Sequence, residues 1–238
     1  MQPSTDRILT THAGSLPRPD DVTRLLWDVL DEKDVDQAKL DARVTEAMKE
    51  IVARQRDTGI DVVSDGEVGK VGFSNYVIQR MTGFAGQAQF MAADLGDKPD
   101  MIGDVFGDEG AAHLRLPILT EKIQPRDTDE IGKEIADFQA ALGGGSPDDA
   151  FISAVTPGQV AFNFPNQAYD SHQEYIEAAA AALKPEYEAI VAAGFNLQLD
   201  SPDSAMAFHC SSEGSDLDDP AGHLEASIAV LNDALADV

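Results

Sequence analysis

The stretch Gly59–Glu67, GIDVVSDGE, combines a helix end, a strand and a polar turn. Gly59 follows an amphipathic segment at the position where a helix-ending glycine belongs. Ile60–Ser64 is rich in β-branched and apolar residues, which favours a strand. That strand stops at the polar sequence Asp65-Gly66-Glu67. A helix, then a strand with a polar turn at its end, is the repeating unit of parallel α/β folds.

The same unit recurs along the chain. Four further strand candidates are Ile8–Thr11, Leu114–Ile123, Ala150–Val155 and Phe195–Leu199. Apolar stripes and capping residues predict helices between them, one capped by Asp36 and another that starts at Thr128 or Asp129 and stops at Gly143-Gly144-Gly145. Alternating strands and helices predict a parallel sheet with right-handed crossovers. Residues 69–113 fit neither period, and we interpret them as a long excursion over a strand end, as in a lid.

Two helices carry more specific expectations. Ser171 and Glu174 form a capping box for a long helix that Pro185 is expected to kink or divide. Pro220 starts the last helix. The apolar stripe predicted for that last helix is Leu224, Ile228, Leu231 and Leu235.

Polar residues cluster at three of the strand ends: His12-Ala13-Gly14-Ser15, Asp65-Gly66-Glu67 and Asp200-Ser201-Pro202-Asp203. For the first of these alone, an N-terminal strand with a Gly-Pro turn is the simpler interpretation. In a parallel barrel, however, all three ends would converge on one face, where such folds place their sites. The three together therefore favour a functional site.

Composition limits the classes of protein that fit. The chain has 238 residues, 43% of them hydrophobic, with one cysteine, so it can form a large core without internal disulfides. No signal peptide or membrane-length apolar run is evident, and we expect a cytoplasmic protein. The formal net charge of −26 disfavours binding to nucleic acid or anionic membranes. It resembles the composition of proteins from salt-loving organisms.

Three motifs, RILTTHAGSLPRP (7–19), GIDVVSDGE (59–67) and AGFNLQLDSPD (193–203), together resemble the cobalamin-independent methionine synthase family. FISAVTPGQ and EYEAIVAAG fit between them in the family's order. The resemblance implies a TIM-type (β/α)₈ barrel, with about five of its eight βα units in a single incomplete domain, 1–238. It also implies zinc-dependent methyl transfer, from a folate or another donor, to homocysteine or a related thiol in methionine biosynthesis.

The resemblance also implies a substrate site. The thiol substrate would contact the Gly14-Ser15 turn, with His12 and Ala13 adjoining. Glu67, in the turn that also contains Asp65, and Asp200 would hold the amino group of an amino-acid thiol. The chemistry is consistent, because an ammonium group favours two carboxylates and a carboxylate favours backbone N–H groups at a glycine turn.

The sequence departs from the family pattern in two places. Met206 stands near the position where the synthases carry an acidic residue for the folate, which leaves the methyl donor open. The family's His-x-Cys zinc pair is absent, and His209-Cys210 cannot replace it readily because adjacent residues on an extended chain point to opposite sides. We therefore expect no metal ligands in this chain, and the sequence does not identify a catalytic residue.

The leading interpretation is the N-terminal part of a zinc-dependent S-methyltransferase, inactive alone. A C-terminal half would supply the zinc ligands. Alternatively, the bare edges of the parallel sheet would lead the chain to self-associate. The alternative is a non-catalytic small-molecule-binding or scaffold protein derived from the same family. A hydrolase using Asp65, Glu67 and Asp200 is the third interpretation, but it lacks an activated nucleophile.

The charge excess generates a prediction about salt. With 43 acidic residues against 17 basic ones, self-repulsion should destabilise the folded chain at low ionic strength. The melting temperature should rise as KCl is increased towards molar concentrations, which thermal unfolding followed by circular dichroism can measure. A flat or falling curve would rule out adaptation to salt.

Overall fold

The structure is a computed structural model that describes residues 4–31, 33–73, 75–92, 101, 115–126, 129–206, 210–212 and 219–238. The chain divides into two compact units. The first contains Met1–Tyr76, Thr128–Ala154 and Glu186–Leu199; the second contains Val77–Asp127, Val155–Pro185 and Asp200–Val238. That the chain forms one domain stays a prediction.

The helices are α1 Asp20–Leu30, α2 Gln37–Asp57, α3 Val77–Arg80, α4 Glu130–Leu142, α5 Pro157–Asn163, α6 His172–Ala192, α7 Asp203–Met206 and α8 Pro220–Leu235. The strands are β1 Val63–Ser64, β2 Phe84–Ala92, β3 Arg115–Leu119, β4 Ala150–Val155, β5 Asn196–Asp200 and β6 Cys210–Ser212. None of the helices in these described segments is long and apolar enough to cross a membrane.

A sheet with the strand order β1–β4–β5 is built from the predicted second, fourth and fifth strands. β1 runs parallel to β4, with Val63 opposite Ala150. The predicted first strand is reduced to a single parallel bridge between Thr11 and Val62. At the end of β1 the Gln55 side chain of α2 binds the Ser64 backbone, accepting from its N–H at 2.9 Å and donating to its carbonyl at 2.8 Å.

The predicted helix ends of the first unit are confirmed. The Asp36 carboxylate accepts a hydrogen bond from the Lys39 N–H at the start of α2, and Gly59 follows the helix with φ +84°. Asp129 caps α4 in the same way, and Gly143 ends it at φ +59°. These signals are local, so the sequence alone is enough to predict them.

The predicted third strand has a different partner from the one expected. β3 pairs antiparallel with β2, and β2 pairs antiparallel with β6, so these strands form a separate sheet. The apolar run had predicted that Leu114–Ile123 belongs to the parallel sheet, and that prediction was wrong. The described part of the predicted excursion, 69–113, contains the short helix α3 and the strand β2.

Two helices of the chain test the remaining expectations. The Ser171 hydroxyl accepts from the Glu174 N–H at 3.2 Å, as the capping box predicts. α6 then runs without a break through Pro185, so the helix is not divided there. In α8 the buried positions include Ser227, Val230 and Ala234, whereas Ile228 is 47% exposed. The stripe predicted for α8 was therefore wrong at Ile228, because packing on α6 selects the neighbouring face.

Aromatic packing in the first unit generates a stability prediction. The Phe138 ring of α4 is fully buried and stacks on Phe195 with ring centroids 4.9 Å apart. Phe138→Ala should lower the free energy of unfolding by about 3–5 kcal/mol, because it removes buried surface and leaves a cavity. Urea denaturation measures this loss. Ile228→Ala, at an exposed position, is the control and should change stability by less than about 0.5 kcal/mol.

Candidate functional site

A strained turn follows β1 in the first unit. Gly66 and Glu67 both have left-handed backbone conformations, with φ +66° and +55°. Glu67 is the one non-glycine residue with positive φ in the described part of the chain. A side chain at Gly66 would place its Cβ 2.8 Å from the Ile51 side chain. Such strain persists only where surrounding contacts impose it, and it is concentrated at functional sites.

Backbone contacts hold this turn in place. The Leu16 N–H donates to the Gly66 carbonyl at 3.0 Å. The Glu67 carbonyl accepts from the Lys70 N–H at 3.1 Å and from the Arg18 guanidinium at 2.8 Å. The turn after β1 is thus joined to the segment that follows Thr11, as two polar strand ends of one site would require.

The Glu67 side chain is buried, yet only one of its oxygens is used. Oε2 accepts a short hydrogen bond from the Ser15 hydroxyl. Oε1 is buried and has no hydrogen-bond partner among the described residues. Ser15 itself is exposed, so the pair lies where the buried carboxyl meets the surface. An arrangement with one oxygen fixed and the other available suits a carboxyl that binds a cationic group.

The other residues of the first motif lie around this pair. Gly14 adopts φ +82°, a conformation that glycine accepts without strain. Ala13 is exposed, and His12 is half-buried with a buried Nε2 that has no hydrogen-bond partner in the described segments. The structure therefore brings the predicted Ser15 and Glu67 into contact and places residues 12–14 directly before them in the chain.

Asp65 begins the same turn and is only 1% exposed. Neither of its carboxylate oxygens has a hydrogen-bond partner in the part of the chain that is described. Burial raises the pKa of Asp65 to about 7, and the charges of Glu134 and Glu67 act in the same direction. Lys70 lowers this pKa in part, as does the Glu67 backbone N–H, which does not reach hydrogen-bond geometry.

Lys70 is a buried cation within this group of acids. Its Nζ donates to the Ser153 carbonyl of β4 at 2.5 Å and lies 3.1 Å from Glu134 Oε1. It also lies 5.0 Å from the centre of the Tyr76 ring, whose hydroxyl donates to Glu186 at 2.7 Å. Burial alone would lower the pKa of Lys70, but the surrounding carboxylates, with Glu134 first, raise it.

The polar end of the fifth-strand motif, Asp200–Asp203, belongs to the second unit, whereas the preceding residues of the motif belong to the first. Asp200, the last residue of β5, is half-buried, and its part in a site with Glu67 stays a prediction. Asp203 is more enclosed: its Oδ1 accepts from Ser201 at 2.8 Å and from Thr156 at 3.2 Å. Its N–H donates to the Gln159 side chain at 2.8 Å. Burial raises the pKa of Asp203, while Ser201 and Thr156 lower it in part.

The zinc ion that the resemblance implies would need three or four ligands from His, Cys, Asp or Glu side chains. Within the described residues, no group of three or more His, Cys, Asp or Glu side chains could hold a metal ion. His113, His209 and the Cys210 side chain lie outside that description. His172, the first residue of α6, stacks on His223 with centroids 4.2 Å apart, and its pKa is lowered to about 4 by burial and then by His223. The described residues therefore do not fit a zinc site.

Comparison with solved structures identifies the fold. A B12-independent methionine synthase from Shewanella sp. W3-18-1, solved in complex with selenomethionine, matches with a TM-score of 0.67 and 17% identity over 96% of this chain and 58% of that one. A Listeria monocytogenes protein assigned as a vitamin-B12-independent methionine synthase matches with a TM-score of 0.60 and 17% identity, over 97% and 63%. This chain thus spans about three fifths of each.

The fold is therefore an α/β barrel of the TIM type, present in part, as the sequence predicts. Residues 8–115 match the family model for the catalytic domain of cobalamin-independent synthases. This match confirms the resemblance to the cobalamin-independent methionine synthase family over these residues, and the two structures share the fold. No curated protein sequence gives a significant match.

Sequence reasoning missed three charged residues of the first unit. Arg18 lies between two prolines of the first motif, and its Nε has no partner within the described residues. Lys70 follows Glu67 by three residues, in an otherwise apolar and glycine-rich stretch. Glu134 lies beside the apolar stripe of α4, one turn before Phe138. For Lys70 and Glu134, the available signal was a charged residue among apolar ones.

The buried carboxyl of Asp65 generates a pH prediction. Its pKa in the folded chain is about 7, against about 3.9 when unfolded. The folded state therefore binds the extra proton between these values, and stability should fall as pH rises from about 4 to 7. Asp65→Asn should remove this share of the pH dependence and become relatively more stable than wild type above pH 7.

The measurement is the difference in melting temperature between wild type and variant at pH 5, 6, 7 and 8. Asp137→Asn on α4 makes the same charge change away from the turn after β1. This control should give a nearly constant difference in melting temperature. A constant difference for Asp65→Asn as well would show that Asp65 does not carry the proton.

Proposed function

We propose that this chain is part of an S-methyltransferase of the methionine-synthase type and that its first unit binds the amino-acid end of the thiol substrate. The family resemblance and the fold support this reaction class. One observation carries the binding role: Glu67 has one oxygen fixed by exposed Ser15 and the other buried and unpaired among the described residues.

The recognition chemistry follows from this geometry. An α-ammonium group would donate to Glu67 Oε1, forming a charge-assisted hydrogen bond. Holding one carboxyl oxygen through Ser15 fixes the carboxyl plane before the ligand arrives, which reduces the ordering cost of binding. The Gly14-Ser15 turn offers backbone N–H groups to the ligand's carboxylate. The Shewanella relative was solved with selenomethionine, an amino acid of this kind.

Other parts of the proposed reaction extend beyond the first unit. Asp200 is proposed as the second carboxylate for the ammonium group, as the motif implies. The methyl donor is a folate or another methyl carrier. Zinc would supply thiolate activation in such an enzyme, and its ligands are proposed to come from a C-terminal half or a partner chain.

Glu67→Gln tests the binding role. The substitution keeps the shape of the side chain but removes the charge, so affinity for L-homocysteine and L-methionine should fall by about tenfold or more. Isothermal titration calorimetry measures both. Glu46→Gln, at an exposed position on α2, is the matched control and should bind as wild type does.

Three results would decide between the interpretations. Ligand binding that depends on Glu67, with methyl transfer once a zinc-bearing segment is added, supports the proposal. Binding without turnover under any such condition favours the non-catalytic binding protein. No binding by the wild-type chain, or equal binding by Glu67→Gln, would overturn the proposed role of the first unit.

A further inference from the structure

A second carboxyl lies behind Glu67 and has no described partner of its own. Asp65 is two residues before Glu67 in the strained turn, and both of its oxygens are buried and unpaired among the described residues. Buried carboxyl oxygens normally have hydrogen bonds, so this exception needs an explanation. Unlike Glu67, which is hydrogen-bonded to exposed Ser15, Asp65 has no hydrogen bond to an exposed side chain among the described residues.

We propose that Asp65 is a positioning residue that couples ligand binding at Glu67 to the release of one proton. This inference rests on the proposed function. In the free protein Asp65 holds a proton next to Glu67. When an ammonium group binds to Glu67, its positive charge favours ionised Asp65, and the proton passes to solvent. The resulting pair of carboxylates then holds the cation more firmly than Glu67 alone.

The groups that face Asp65 make this transition possible. Glu67 from the same turn and Glu134 from α4 disfavour its negative charge. Lys70, from the same loop, favours that charge, and Arg18, from the segment before α1, also interacts with it. Lys70 is itself held by Glu134 and the Ser153 carbonyl, so it does not give Asp65 a dedicated ion pair. Asp65 is thus balanced between two protonation states, and one added positive charge can shift it.

The sign of the pH effect follows directly. The pKa of Asp65 is about 7 in the free protein, and a bound cation lowers it. Protons therefore compete with the ligand, and affinity for L-methionine should rise between pH 5.5 and 8. The gain is about tenfold for each unit by which binding lowers this pKa. Proton release from Asp65 should be largest between the free and bound pKa values and fall towards zero as the pH rises above the free value.

The experiment is calorimetric titration of the full chain with L-methionine at pH 6.5 and 7, in two buffers of different ionisation enthalpy, at one KCl concentration. The buffer dependence of the heat gives the protons released per ligand bound. Wild type should release a substantial fraction of one proton. Asp65→Asn should release almost none and lose the rise in affinity with pH, while Asp137→Asn should behave as wild type does.

A second ligand keeps the test independent of how well Asp65→Asn folds. 4-(Methylthio)butanoate is methionine without its ammonium group, so it brings no positive charge to Glu67 and should release no proton from wild type. Equal release with both ligands would overturn the proposal. So would release that persists in folded Asp65→Asn, or no release with methionine.

The outcomes also separate this inference from the proposed function. If L-methionine binds through Glu67 without proton release, only the role of Asp65 fails. If wild type binds neither L-methionine nor L-homocysteine, the binding role of the first unit fails and the coupling fails with it.

Discussion

Lys70 is the buried cation on which the polar interior of the first unit depends. Four carboxyl groups, those of Glu134, Asp65, Glu186 and Glu67, act on its charge. Burying that many acids without a cation would be strongly unfavourable, because charges in a low-dielectric interior must be paired or neutralised. Lys70 offsets part of this cost and also binds the Ser153 carbonyl, which joins the loop after β1 to β4.

Lys70 and the turn at Gly66 together explain why Glu67 lies where it does. The backbone at Glu67 is strained, and its carbonyl is held by the Lys70 N–H and by Arg18. An extended backbone at Glu67 would point its side chain in a different direction. The strain is thus stabilised by contacts on both sides of the turn, and its structural result is a carboxyl that meets Ser15.

The features that the sequence predicted correctly are local. Helix caps such as Asp36 and Gly59 depend on a few neighbouring residues, and the resemblance was read from contiguous motifs. The errors concern partners distant in the chain: β3 had the composition of a buried strand, but its composition could not reveal an antiparallel partner in β2. Ile228 was misplaced for the same reason, because the face that α8 buries is set by the helix it packs on.

Net charge and local geometry have separate roles in this protein. A formal charge of −26 creates a field that attracts cations in general, yet an amino acid is a zwitterion and gains little from it. At molar salt the screening length falls to about 3 Å, which suppresses surface charges far more than buried ones. Selectivity for the proposed amino-acid ligand would then depend on enclosed groups whose fields survive screening. Glu67, Asp65 and Lys70 are enclosed in this way, so the interactions of the proposed site would persist at salt concentrations that screen the surface charge.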